Sequence, residues 1–197
     1  MLRNLYSITA LTVLLLTGPA VLAQPANDDC ATAISIACDE TLSGSTTDAV
    51  ADDIVGCGTD VTAPGVWYRF EGVLGQITAT TCPDAGYDTK INVFRGECGS
   101  LTCIGGNDDI AQGVLCSSIT FVAEPGYTYY ILVNGYDGAT GDFDLAVTCA
   151  PIDEDDCLGA LQILCGQTVT GSTADASSDA AADCITSVSA PGIWYVF

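Results

Sequence analysis

The stretch PGYTYYILVNGYDGATGDFDLAVT, residues 125–148, decides the fold. Pro125-Gly126 signals a type II turn, because glycine accepts the positive φ that the third turn position needs. Tyr127 to Val133 is dense in aromatic and branched residues and reads as a central strand packed on both faces. Asp142 to Val147 alternates strictly. Phe143, Leu145 and Val147 face a core, and Asp142 and Asp144 face water. A turn, a strand buried on both faces and a strand buried on one face describe two packed sheets.

The same alternation recurs upstream, in Ile77–Thr80 and Ser118–Val122. Asp88 to Phe94, DTKINVF, is a further strand. Pro64-Gly65 reads as a turn feeding Val66-Trp67-Tyr68-Arg69-Phe70, with Val66, Tyr68 and Phe70 on one face and Trp67 and Arg69 on the other. Trp67 fits a core better than a sugar-stacking platform, since buried aromatics dominate sandwich cores. No segment carries a helical stripe. Short strands spaced by Gly, Asp and Asn turns predict an all-β, antiparallel sandwich.

The phrase APGVWYRF at 63–70 returns as APGIWYVF at 190–197. Displaced by 127 positions, residues 24–70 and 151–197 match without a gap, with 22 identities in 47 positions. Such a period marks tandem modules. One complete module is expected over 24–150, and 151–197 reads as the first third of a truncated second copy. Residues 1–23 carry Arg3, the apolar run Leu11–Leu16 and the small residues of Val21-Leu22-Ala23. They are expected to be a cleaved secretory signal peptide, too short in its apolar run to span a bilayer and broken by Gly18-Pro19.

The chain has 4 Lys and Arg against 25 Asp and Glu, a formal net charge of −21. Arg3 lies in the signal, which leaves Arg69, Lys90 and Arg95. Clustered cations for nucleic acid or anionic membrane surfaces are therefore missing, and no membrane insertion is expected after signal cleavage. There are 11 Cys and no His. In an exported chain this reads as disulfides. Eight cysteines fall in the first module: Cys30, Cys38, Cys57, Cys82, Cys98, Cys103, Cys116 and Cys149. Cys98 and Cys103, flanking Gly-Ser-Leu-Thr, form the expected closest bridge. Without His or a C-x-x-C pair, the usual zinc ligand sets are missing. A His-dependent catalytic triad is missing too, and the chain is read as a non-enzyme.

These residues carry a resemblance. NDDC at 27–30, GST at 44–46, VWYRF at 66–70, YDTKINVF at 87–94, GGNDD at 105–109, SSITF at 117–121 and the 125–148 stretch occur in that order. The order resembles the bacterial pre-peptidase C-terminal (PPC) domain, in its cysteine-rich variety found in tandem in secreted proteins. The resemblance implies a jelly-roll-like sandwich of about eight strands and a non-catalytic accessory role. Domains of this kind sit beside secreted peptidases or in strings within surface proteins, and some bind calcium or an insoluble protein or polysaccharide.

Calcium requires six to eight hard oxygens. Asn27 and Asp28 match the Asn-Asp pair that the resemblance assigns to a calcium site. Asp48 and Asp52, with Asp53 and Asp60, supply further acids in the loop before VWYRF. The predicted metal set is Asn27, Asp28, Asp48 and Asp52. A second acidic cluster, Asp84 and Asp88 with Asn107-Asp108-Asp109, reads more readily as turn chemistry. Tyr87 and Tyr136 lie in Gly- and Asp-rich loops, expected to be exposed, and are candidates for stacking on an extracellular polysaccharide or protein. The expected role is a secreted or cell-surface, Ca2+-stabilised spacer or adhesion module. The alternative is a carbohydrate- or protein-binding accessory domain of a secreted hydrolase.

Overall fold

The computed structural model describes residues 24–152, 160–174, 176 and 192–197. The predicted signal segment, Cys157 and Cys184 lie outside the described residues. Nine strands lie within residues 24–150, the expected first module: β1 (Ile34–Ser35), β2 (Glu40–Ser45), β3 (Val66–Glu71), β4 (Gly75–Ala85), β5 (Thr89–Glu97), β6 (Ser100–Asn107), β7 (Ser118–Ala123), β8 (Thr128–Gly135) and β9 (Asp142–Ala150). They form a five-stranded sheet in the order β1-β3-β8-β5-β6 and a four-stranded sheet in the order β2-β9-β4-β7. Every pairing in these two sheets is antiparallel except β1 with β3. The protein is thus an all-β sandwich. Short 3-10 turns at Cys30–Thr32 and Tyr136–Gly138 are the helical pieces among the described residues. Among the described residues no helix is long and apolar enough to cross a membrane.

Alternation decides what each strand buries. Tyr68 and Phe70 of β3, Ile91 and Val93 of β5, and Ile131 and Val133 of β8 meet Ile77 of β4 and Phe143, Leu145 and Val147 of β9. Burial of each large apolar side chain contributes roughly 1.5–3 kcal/mol, so this inner layer dominates stability. The opposite faces of β3, β5 and β8 are also covered. Trp67, Phe94 and Leu132 pack with Cys57, Ile54 and Val61 of the long segment between β2 and β3. This gives the two-sided burial of Ile131, Leu132 and Val133: a loop, not a third sheet, covers the outer side, while Tyr127, expected in the same buried strand, precedes β8 and is exposed.

Gly126 adopts φ +84, as the predicted type II turn requires. Pro64-Gly65 behaves differently from the sequence reading. Gly65 runs straight into β3, without positive φ. A Cβ on it would strike the Leu132 side chain and lie 3.0 Å from the Val133 carbonyl oxygen. This glycine permits close packing against β8; it does not make a turn.

Four disulfides staple the module: Cys30–Cys98, Cys38–Cys149, Cys57–Cys103 and Cys82–Cys116. The expected Cys98–Cys103 bridge is therefore corrected. Cys98 sits in the two-residue loop between β5 and β6, next to the Glu97–Ser100 pair, whereas Cys103 lies opposite Phe94. Three strand residues, about 10 Å, separate Ser100 from Cys103. A disulfide tolerates a Cα separation of only about 7 Å.

Further along, β10 (Leu161–Gln162) and β11 (Tyr195–Val196) pair in parallel, Leu161 with Tyr195 and Gln162 with Val196. Ile34 pairs with Tyr68 and Ser35 with Arg69 in the first module. The pairing recurs in the same register 127 residues later.

Candidate functional site

Strands β5 and β6 are neighbours, with Ile91 opposite Asn107. Residues just before β5 and just after β6 therefore meet at one end of the five-stranded sheet. This brings Asp88 to Asp108 and Asp109. One carboxylate oxygen from each lies within 4.8 Å of the others. Asp88 Oδ1 and Asp108 Oδ1 are buried and have no hydrogen-bond partner. The Asp88 carboxyl is pushed above the usual carboxylate range, first by burial, then by the Asp109 and Asp108 charges, while Lys90 pulls it back.

The loop carrying these acids is held firmly. Asn107 Oδ1 accepts from Ser118 N at 2.9 Å, and Asn107 Nδ2 donates to the Asp109 carbonyl at 3.2 Å. Ser117 Oγ donates toward the Thr89 carbonyl and lies against that of Asp108, and Thr81 Oγ1 accepts from Ser117 N at 2.9 Å. The Cys82–Cys116 bridge closes the same loop onto β4.

Lys90 lies beneath this cluster and is 1 % exposed. Its Nζ is 2.5 Å from Asp60 Oδ1, 3.6 Å from Asp108 Oδ2 and 4.8 Å from the Tyr136 ring centroid. Hydrogen bonding and charge from Lys90 hold the exposed Asp60 carboxyl below its usual range. One ammonium faces four carboxylates here, which leaves an excess of negative charge at Asp88, Asp108 and Asp109. Hard oxygens gathered around uncompensated charge are the donor set a divalent cation takes.

The predicted set Asn27, Asp28, Asp48 and Asp52 is arranged otherwise. Buried Asn27 donates through Nδ2 to the Trp67 carbonyl at 3.0 Å, and its own carbonyl accepts from Trp67 N at 2.8 Å. Asp28 Oδ1 accepts from Val50 N at 2.8 Å. Asp52 accepts from Trp67 Nε1 at 2.7 Å and from Gly65 N at 3.2 Å. Asp48 is exposed, with a left-handed backbone at φ 63. Asp28, Asp48 and Asp52 do not converge within the 4.8 Å that unites Asp88, Asp108 and Asp109. Three of the four residues clip the N-terminal segment and the long loop onto β3. Burial raises the Asp52 carboxyl, against its hydrogen bonds from Trp67 and Gly65, and the Asp28 and Asp29 charges add to the rise.

Tyr87 is half-buried, not exposed as expected. Its ring meets Phe143 edge-on at 6.5 Å, its hydroxyl accepts from Thr46 Oγ1 at 3.1 Å, and burial pushes it up to about 12. Tyr136 is 52 % exposed and lies over Lys90. Sequence reasoning missed Lys90 and Asp60 as partners. The available signal was Lys90 itself, one of three cations in an acidic module and placed mid-strand.

Neither a known protein-family profile nor a curated protein matches the chain. Among solved structures it is similar to the pre-peptidase C-terminal domain of collagenase from Bacillus anthracis. That similarity has 20 % identity and a TM-score of 0.36, over 59 % of this chain and 94 % of that one. It is also similar to a periplasmic inhibitor of g-type lysozyme from Aeromonas hydrophila, at 18 % identity and a TM-score of 0.37, over 59 % of this chain and 96 % of that one.

Proposed function

We propose that this protein is a non-catalytic extracellular β-sandwich module, stabilised by Ca2+ at Asp88, Asp108 and Asp109, that spaces or anchors the chain it belongs to. The observation that carries the calcium reading is the convergence of these three carboxylates, with two buried oxygens that lack a hydrogen-bond partner. Carboxylates, backbone carbonyls and water are the ligands calcium accepts. Four disulfides suit an oxidising compartment outside the cytosol. The chain has no His and the cysteines of residues 24–150 are all bridged, so this segment offers neither an imidazole base nor a free thiol. The 127-residue repeat supports a spacer in a string of modules. A carbohydrate- or protein-binding accessory role draws support from one residue, the half-exposed Tyr136.

Thermal unfolding in EDTA and then in millimolar Ca2+ tests the reading. At a hundredfold excess over its dissociation constant, a ligand of the folded state adds about 2.7 kcal/mol. The melting temperature rises with Ca2+, and Asp109→Asn removes the rise. The absence of any shift in the native chain sinks the calcium reading.

A further inference from the structure

A second feature lies on the outer face of the five-stranded sheet, away from the acidic cluster. A groove of about 510 Å³ runs between the long β2–β3 loop and the tip of the β5–β6 hairpin. Its walls are Ile54, Val55 and Leu101, over a floor of Trp67 and Phe94. The rings of Trp67 and Phe94 are 5.9 Å apart. Three carboxylates, Asp29, Asp52 and Asp53, stand along it. Two disulfides brace the groove: Cys30–Cys98 joins the N-terminal segment to the hairpin tip, and Cys57–Cys103 joins the loop to β6. The volume falls within the range of ligand clefts, and the bracing makes the shape preformed.

Charge separates this groove from the acidic cluster. The three cations outside the predicted signal are committed elsewhere: Arg69 to Glu71, Lys90 to Asp60 and Asp108, and Arg95 to Glu124. None lines the groove. Asp29 and Asp53 are exposed and have no ion-pair partner among the described residues. Apolar walls beneath unpaired carboxylates complement one kind of side chain in particular. Lys and Arg bury an aliphatic stem on apolar surface and keep the charged head at a polar rim. Arg adds a planar fork that pairs with a carboxylate through two hydrogen bonds.

We propose that this groove docks a Lys- or Arg-bearing segment of a protein partner, the stem against Ile54, Val55 and Leu101 and the cationic head at Asp29 and Asp53. Asp52, already bonded to Trp67 Nε1, holds the floor and joins the carboxylate rim to the Trp67 indole. The inference stands apart from the calcium reading, since it uses none of the same residues.

The test follows the Trp67 indole N–H by NMR in the full, oxidised chain during titration with capped hexalysine and hexaarginine. Saturable shifts of this signal are expected. Asp29→Asn combined with Asp53→Asn weakens binding about tenfold, the equivalent of roughly 1.4 kcal/mol. Asp137→Asn combined with Asp142→Asn removes the same charge at a distance and leaves the affinity within about twofold. Equal weakening by both pairs would reduce the effect to general attraction and overturn the proposal. So would an unmoved Trp67 signal, or equal binding of a glutamine peptide of the same length. Native Tm values for both double variants in EDTA exclude misfolding as the cause.

Discussion

Asp52→Ala separates the clip from the metal site. In the folded protein Asp52 accepts from Trp67 Nε1 at 2.7 Å and from Gly65 N at 3.2 Å. Truncation leaves both donors without an acceptor, and Trp67 is only 2 % exposed. An orphaned buried donor costs about 1–3 kcal/mol. Against this, the carboxylate is itself disfavoured by burial and by Asp28 and Asp29, so its removal returns part of the loss. The net loss is about 2 kcal/mol, or roughly 6–10 °C in melting temperature for a module of this size. The assay is thermal unfolding read by tryptophan fluorescence, in EDTA and in millimolar Ca2+. A clip loses the same amount in both buffers. Asp109→Asn behaves oppositely, keeping the stability seen in EDTA and losing the gain from Ca2+. If the Asp52→Ala loss appears in Ca2+ and vanishes in EDTA, Asp52 is a calcium ligand and the placement at Asp88, Asp108 and Asp109 is wrong.

Replacing Cys38 and Cys149 by Ala should be the costliest bridge removal, because their separation of 111 residues is the largest of the four. Loop-closure entropy gives about 4–5 kcal/mol, against about 3.8 for Cys82–Cys116, measurable by denaturant unfolding, and a reversed order would refute the entropic account. Gly65→Ala should cost about 1–3 kcal/mol by overpacking against Leu132 and Val133, with the backbone itself unstrained, and an unchanged denaturation midpoint would contradict the close contact. Without Ca2+, acidification should stabilise the module through Asp52 and Asp88. Their folded pKa values are raised, so the contribution is complete below the ordinary value of 3.8 and is lost as the pH rises through the folded values. In EDTA the melting temperature should therefore rise as the pH falls toward that window, whereas Ca2+ affinity should fall as protons compete for Asp88; opposite trends would refute both.

Much of the sandwich is legible in local pattern. Phe143, Leu145 and Val147 face inward because successive strand side chains point to opposite faces, and one buried face fixes their register. The two-sided burial of Ile131, Leu132 and Val133 is legible too, from the density of aromatic and branched residues, although Tyr127 precedes β8 and is 46 % exposed. The same rule assigns Lys90 and Asn92 to the outer face, away from Ile91 and Val93. It cannot reveal that the β2–β3 loop closes over that face and buries both. The acids divide in the same way. Asn27 and Asp28 do lie beside the loop before VWYRF, as the sequence suggests, where Asn27 Nδ2 donates to the Trp67 carbonyl and Asp28 Oδ1 accepts from Val50 N.

By itself, then, the sequence determined the all-β class, the strand faces, the type II turn at Pro125-Gly126 and the 127-residue period. Each of these depends on residues a few positions apart, or on direct self-similarity. Only the tertiary structure decided which cysteines pair and which acids converge. It also decided that Gly65 serves packing and that a lysine is buried beneath a carboxylate cluster. These depend on strand neighbours such as β5 with β6 and β3 with β8, which join residues tens of positions apart. Many pairings satisfy the same alternation, and the choice among them is made by the packing of the whole sandwich.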